Sequence, residues 1–419
     1  MQVYKFGGAS VKDAAAVRNV ATILSQQSKT DKVVVISAMG KTTNELEKVI
    51  NQYVAEDSAW EQSLQAIYTK HEAIVKALLE ANAASALAAL TAILQQVKNF
   101  LLESKSTEYN FIYDQVVSAG EYLSTAIVSH YCTSIGIANT LVDAKTCIAT
   151  DTAYTEAKID WDTTERAIKE KVQPLLHKGY VITQGFIGAA PDGSTTTLGR
   201  EGSDYTAAVF SFALSAERMT VWKDVAGIMN ADPKEFAEAT FLSEISYLEA
   251  IEMTYYGATV IHPKTIKPLQ NKSIPLEVRS FVDYDKRGSI IATNANTEFL
   301  PPIMIWKHEQ TLLSFSAKDF SFIAEEHLAK VFSVFATHRL RINMMQNAAI
   351  SFSICIDTKK EKLDNIVAAL QHDFKIIRNE SLTLLTIRHY NTGIIDRLTH
   401  GKDILLRQTS RQTIQLLMR

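Results

Sequence analysis

TTTLGREGSDYTAA (Thr195–Ala208) presses small residues, two glycines, a cation and two carboxylates into one short stretch. Upstream, GYVITQGFIG (179–188) reads as a buried strand. Downstream, DYTAAVFSFAL (204–214) has the apolar spacing of a helix, so the polar cluster falls on a strand-loop-helix junction. Such a junction aims free backbone N–H groups at an anion. Gly199 and Gly202 let a ligand approach the backbone closely. Arg200 carries a planar fork for a carboxylate, and Ser203-Asp204 sits where a helix N-cap is expected. A plain surface loop needs turn residues but does not need Arg, Ser and Asp together. The stretch therefore reads as a substrate and phosphate site.

The same pattern opens the chain. Gln2–Phe6 reads as a strand, Gly7-Gly8 as a tight turn, and 10–25 as a helix with apolar positions Val17, Val20, Ala21 and Leu24. KFGGAS is thus a phosphate cradle, although the Walker spacing is absent because Lys5 precedes the glycines. KVVVIS (32–37) is apolar throughout, as in a parallel strand covered on both faces. It ends in AMGKTTN (38–44), at the sheet edge where ligands gather in open α/β folds. Residues 44–104 read as helical, and the stripe Leu87, Leu90, Ile93, Leu94, Val97 reads as packing. SAGEYLST (118–125) places Glu121 in the first turn of a helix. A strand at 137–142 and a helix at 163–177 precede the central site. After it come a strand at 217–223, the turn-rich KDVAGIMNADPK (223–234), a helix from 245 ended by Gly257, and strands at 274–280 and 288–292. His262, just before Pro263, has no nucleophile or second histidine beside it and reads as structural. The β/α alternation predicts a three-layer α/β/α sandwich with a mainly parallel sheet.

At 419 residues two or three domains are expected. A net charge of -3 with no basic run argues against a nucleic-acid partner. No apolar run has the length and composition of a membrane span, and strand pattern starts at Gln2, so a cytoplasmic protein is expected. Cys132, Cys147 and Cys355 lie far apart, with no zinc-like spacing, and read as reduced core thiols; no protein-held metal is expected. A boundary falls near 294–302. Beyond it the order is strand 311–316, helix 324–338, strands 341–345 and 349–357, helix 361–372 and strand 374–379, the ferredoxin-like βαββαβ plan. It begins again at TLLTI (383–387), an echo of TLLSF (311–315), with a helix at 392–399 and strands at 402–408 and 412–418, and stops short of a second complete unit.

KFGG, SAGE, QGFIG with TTTLGR-x-GSDYTAA, and KDVAGI-x-x-ADP, in this order and spacing, resemble the aspartate kinases of the amino-acid kinase superfamily over essentially the whole chain. The C-terminal repeats resemble paired ACT domains. The resemblance implies a catalytic domain at 1–298 and a regulatory region at 299–419 with two ACT-like units, the second truncated. It makes Lys5 the cation over the transferring phosphoryl group, with Gly7 and Gly8 bonding phosphate oxygens and Asp204 orienting the charged phosphate-side groups. Arg200 would clamp a carboxylate of L-aspartate and Glu121 its ammonium, with Thr43, Phe186 and Ser203 lining the pocket. ATP would lie along Lys223, Asp224, Met229 and Lys234, with Mg²⁺. The implied reaction gives β-aspartyl phosphate (4-phospho-L-aspartate) and ADP, the first step towards lysine, threonine and methionine. An ionised carboxylate nucleophile needs no general base, so catalysis reduces to positioning and charge neutralisation.

The chain departs from the family pattern in four places: Ala9 for a common Thr, Glu201 for a common Gly, Thr259 for lysine (with Lys223 where Thr is frequent), and Asn343 for the Asp of lysine-sensitive relatives. Another small-molecule kinase of the superfamily, or a catalytically weak amino-acid sensor, are the alternatives; intact Lys5, Arg200, Ser203 and Asp204 favour the enzyme. No glycine-rich dinucleotide fingerprint precedes residue 419, so a monofunctional form without homoserine dehydrogenase is expected. Exposed edges of ferredoxin-like sheets suggest a homodimer through the ACT region, with lysine or threonine as effector.

Overall fold

A computed structural model describes residues 1–26, 31–258, 261–295, 300–318 and 321–419. Thr259 and part of the expected boundary at 294–302 lie outside the described residues. The chain divides into two units, one of residues 1–228, 243–251 and 260–296, the other of 229–242, 252–259 and 297–419.

In the first unit, β1 (Gln2–Phe6) runs through Gly7-Gly8 and a 3-10 turn into α1 (Ala14–Gln26). β2 (Lys32–Ile36) is buried at every position, as its unbroken Val/Ile run requires. The long helical stretch is broken into α2 (Thr42–Val54), α3 (Ala59–Leu79) and α4 (Ala84–Glu103), with Glu56 and Glu80 at positive φ in the intervening turns. α5 (Tyr109–Val117) and α6 (Ala119–Ser134) complete this layer, followed by β3 (Asn139–Val142). The expected helix at 163–177 is α7 (Trp161–Lys171), which gives way to a 3-10 segment carrying Pro174, a residue with no N–H to continue the ladder. β4 (Tyr180–Gln184) leads to the hairpin β5 (Ile187–Ala189) and β6 (Thr195–Thr197), then to α8 (Gly202–Ala213) and β7 (Arg218–Lys223). In chain order β8 (Ile228–Met229), β9 (Phe241–Leu242), β10 (Glu244–Ser246), α9 (Tyr247–Tyr256), α10 (Pro263–Asn271), β11 (Leu276–Ser280) and β12 (Ser289–Ala292) follow, of which β9 and the end of α9 belong to the second unit.

The main sheet has the order β10-β12-β11-β7-β1-β2-β4-β3, parallel except for β11 with β12. β1 lies at its centre, with β2 on one side and β7 on the other, so the strand order reverses at β1. In open α/β sheets ligands bind at such a crevice, beyond the carboxyl ends of the strands. The segments leaving that edge are Gly7-Gly8 after β1, Ser37–Gly40 after β2 and Gly185-Phe186 after β4. The expected α/β fold with a mainly parallel sheet is thus observed.

Among the described residues one helix, α4, is long and apolar enough to cross a bilayer by length and composition. Its stripe Ala86, Leu90, Leu94, Val97 and Leu101 is buried in the core that also holds Leu64, Ile67 and Val75 of α3. The exposed side carries Ser85, Thr91, Gln95 and Asn99, the division of a helix packed on a protein core.

The second unit is built on β13 (Ile303–Ala317), α11 (Glu325–Thr337), β14 (Ile342–Asn347), β15 (Phe352–Asp357), α12 (Lys360–Leu370), β16 (Phe374–Arg388), α13 (Thr392–Thr399), β17 (Ile404–Thr409) and β18 (Thr413–Met418). Its sheet order is β14-β15-β13-β16-β18-β17. β13 and β16 pair antiparallel from Ile303↔Arg388 to Ala317↔Phe374, with register shifts at Lys307–Leu312. The sequence suggested a second ferredoxin-like unit that stops after its first four elements, short of its last helix and strand. The pairing supplies that strand from upstream: Ile303–Lys307 lies beside Leu384–Arg388, which pairs on its other side with β18. One complete βαββαβ unit is therefore inserted inside a second that has its four strands but one helix, α13. Ala231, Phe236 and Ala239 pack with Met304, Leu385, Ile387 and Ile414 on the outer unit's sheet, where a second helix would otherwise sit.

Candidate active site

The apolar strand β1 carries one lysine, and its burial dictates a partner. Lys5 Nζ lies 2.7 Å from Asp204 Oδ1, and both side chains are almost wholly buried. An uncompensated charge in such a place is strongly unfavourable, so each of the two requires the other. Asp204 belongs to the first turn of α8, where a carboxylate also meets the positive end of the helix dipole. A Cβ at Gly7 would crowd the same ammonium, standing 3.3 Å from Lys5 Nζ. Gly8 is tighter still: its Cβ would lie 2.8 Å from the Ala38 carbonyl oxygen, and the Gly40 N–H donates to the Gly8 carbonyl at 3.0 Å. The loops after β1 and β2 are therefore stitched together by backbone alone.

Glu121 is buried at the start of α6. Its Oε1 accepts the Ala38 N–H at 3.3 Å, whereas Oε2 is buried without a hydrogen-bond partner. Burial pushes its pKa up to about 8, opposed by the Ala38 hydrogen bond and by attraction to Lys5. A buried acceptor left open in this way is a socket for a donor, and an ammonium matches it best. Thr43 stands in the first turn of α2, next to Thr42, whose hydroxyl donates to the Met39 carbonyl at 2.6 Å. Behind it, His71 places Nδ1 2.7 Å from the Ile67 carbonyl oxygen and Nε2 3.5 Å from Thr42 Oγ1; burial lowers its pKa, so it stays neutral.

Gly185, directly after β4, leaves room for Ser203, since a Cβ there would come within 2.4 Å of the serine Cβ. Phe186 adopts the left-handed region (φ +70°), and its ring leaves Gly202 no space for a side chain. Its N–H donates to Thr206 Oγ1 at 2.9 Å. Arg200 is exposed in the turn between β6 and α8. Lys223 ends β7 half-buried and Asp224 is exposed after it, whereas Met229 and the exposed Lys234 belong to the second unit.

The sequence thus brings Lys5, Gly7, Glu121, Phe186, Ser203 and Asp204 to one edge of the first unit. Asp114 was missed. Buried on α5, it accepts from Thr197 N–H (2.7 Å), Thr197 Oγ1 (2.7 Å) and Thr155 N–H (3.0 Å), and so fixes β6 just before the Gly199–Gly202 turn. Burial raises its pKa, and the three hydrogen bonds oppose the rise. An acid inside the apolar run Phe111–Val117 was its only signal in sequence. His262 has a structural job: it caps α10, its Nδ1 accepting the Lys264 N–H at 3.2 Å.

A family profile described as the amino acid kinase family matches residues 1–280. Lysine-sensitive aspartokinase 3 of Escherichia coli (strain K12) is 30% identical over 356 residues, 85% of this chain and 78% of that one. The bifunctional aspartokinase/homoserine dehydrogenase 2 of Arabidopsis thaliana is 32% identical over 295 residues, so the chain covers 69% of its own length but only about a third (32%) of that relative. The crystal structure of E. coli aspartokinase III with lysine and aspartate (T-state) superposes with a TM-score of 0.85 at 26% identity, covering 100% of this chain and 95% of that one. The same enzyme with aspartate and ADP (R-state) gives 0.81 at 26% identity, covering 100% and 96%. With the profile matching most of its length and an aspartokinase aligned over most of both chains, this chain belongs to the amino acid kinase family, among the aspartokinases.

Proposed function

We propose that the protein transfers the γ-phosphoryl group of ATP to the β-carboxylate of L-aspartate, giving 4-phospho-L-aspartate and ADP. The observation that carries this is the buried Lys5–Asp204 pair beside the open Glu121 oxygen: a fixed cation for phosphoryl oxygens next to a socket for an ammonium. Glu121 holds the substrate's ammonium, Arg200 its α-carboxylate, and Thr43, Ser203 and Phe186 shape the space between. The β-carboxylate is already ionised near neutral pH and attacks without a base. Lys5, held by Asp204, neutralises charge on the transferring group, and the Gly7-Gly8 amides bind its oxygens. Lys223, Asp224, Met229 and Lys234 are assigned to the nucleotide, as the family resemblance implies. Among the described residues no three His, Cys, Asp or Glu side chains are grouped to hold a metal. Mg²⁺ is therefore assigned to the nucleotide's own phosphate oxygens, as is usual for this ion.

The second unit is assigned a regulatory role, with lysine or threonine as effector. Pairing of two chains is assigned to the open edge β14, where Phe322, Met345 and Ile350 are exposed. Three free, buried cysteines suit a reducing compartment, and we place the protein in the cytoplasm. ATP- and Mg²⁺-dependent formation of β-aspartyl hydroxamate, with and without lysine and threonine and beside a Lys5→Ala variant, tests the reading. Turnover lost in the variant supports it. Absence of turnover in the native protein, with aspartate still bound, overturns it in favour of a sensor.

A further inference from the structure

Glu201 stands in the left-handed region (φ +54°, ψ +29°) just ahead of α8. That conformation favours glycine, because it drives Cβ against the following carbonyl oxygen. The residue closes a turn in which the Gly202 N–H donates to the Gly199 carbonyl at 2.9 Å. Helix capping does not account for it, since its side chain makes no cap hydrogen bond to α8. Oε2 instead accepts the backbone N–H of His262 at 3.0 Å, at the start of α10. A second tie joins the same two segments: Lys264 Nζ donates to the Leu198 carbonyl at 3.3 Å. The turn is thereby held at both ends to one helix terminus, and Arg200 lies between the ties.

We propose that Glu201 is a positioning residue. By gripping the His262 amide it fixes the Gly199–Gly202 turn, and with it the Arg200 guanidinium, where the α-carboxylate of the substrate is received. The proposal rests on the aspartate kinase reading for its substrate but not for its clamp. It gives the glutamate at this left-handed position a task on a neighbouring segment that glycine, though easier for the backbone, could not perform.

Three variants separate clamp, charge and strain. Glu201→Ala is expected to raise the KM for aspartate about tenfold, with kcat and the KM for ATP within about twofold, because a misplaced anchor weakens substrate capture before it affects chemistry. Glu201→Gln keeps an acceptor oxygen and is expected to stay within about threefold of the native KM. Glu201→Gly relieves the backbone, so its Tm equals or exceeds that of the native protein, yet its KM rises as in Glu201→Ala. Amide hydrogen exchange at His262, slow in the native protein and in Glu201→Gln, quickens in the other two. A Glu201→Gly variant with native KM, a Glu201→Gln variant as weak as Glu201→Ala, or His262 exchange unchanged by Glu201→Ala overturns the proposal. Absence of turnover in the native protein would overturn the kinase reading instead, while the exchange measurement still decides the clamp.

Discussion

Glu121 gives the sharpest test of the substrate assignment, because its charge is set by the same burial that makes it a socket. With its pKa raised to about 8, the side chain is neutral in about nine-tenths of the free protein at pH 7. An ammonium binds only the carboxylate form. Each L-aspartate bound therefore releases about 0.9 proton at pH 7, about 0.5 at pH 8 and about 0.1 at pH 9. The apparent Kd is weaker than its alkaline limit by about twofold at pH 8, about tenfold at pH 7 and about a hundredfold at pH 6. Titration calorimetry in two buffers of unlike ionisation enthalpy reads the proton count directly, and Glu121→Gln should abolish it. The same shift has a consequence for stability. Its folded pKa lies above the unfolded value, so ionisation disfavours folding: the group's contribution falls between about pH 4.5 and 8 and is flat above. The melting temperature of Glu121→Gln relative to the native protein should rise across that window. A proton count of zero at pH 7, or one that survives in Glu121→Gln, refutes the reasoning.

Lys5→Met should lower kcat by at least about a thousandfold and destabilise the fold by about 3–5 kcal/mol by stranding Asp204. The double variant Lys5→Met/Asp204→Asn should recover most of that stability in denaturant titrations, but no turnover. Asp114→Ala leaves two backbone N–H groups without their acceptor, an expected loss of about 2–4 kcal/mol; Asp114→Asn, which keeps one acceptor oxygen, should lose less, and equal Tm values for the two would contradict this account. Gly185→Ala should cost about 1–3 kcal/mol and raise the KM for aspartate, because its Cβ would displace Ser203; an unchanged Tm and KM would contradict it. The thiols of Cys132, Cys147 and Cys355, buried and with pKa values raised by that burial, should react with a thiol reagent only after denaturant is added.

What could be read from the sequence was what local pattern encodes. The apolar run 32–36 could only be a covered strand, and glycines with charged residues after strands marked the sheet edge to which the ligands are assigned. Less legible were features that depend on residues distant in the chain. Gly185 looks like an ordinary turn glycine until Ser203 is seen against it. Asp114 acts on Thr197 and Thr155, which share no pattern with it. Phe186 takes a left-handed conformation that no aromatic side chain announces. The long helical stretch gave no warning of its breaks, since Glu56 and Glu80 turn the chain without glycine or proline. The pairing within the second unit was illegible for a related reason. Strand pairing is not written in either strand alone, so nothing local announced that Leu384–Arg388, besides its downstream partner β18, also pairs with Ile303–Lys307 upstream.

That nested pairing favours an order of assembly. Everything needed for the inner βαββαβ unit lies in one uninterrupted piece of chain, from Gln310 to Asn379, and its two ends meet where Leu312 pairs with Asn379. The outer unit must instead bring Ile303–Lys307 back across that whole piece to Leu384–Arg388 and then add β18. The inner unit closes the shorter stretch of chain and is expected to form first, and its completion brings the two halves of the outer unit next to each other. Loss of β18 would thus spare the pairing of the inner unit and leave Leu384–Arg388 as an open edge, a site where another chain could add.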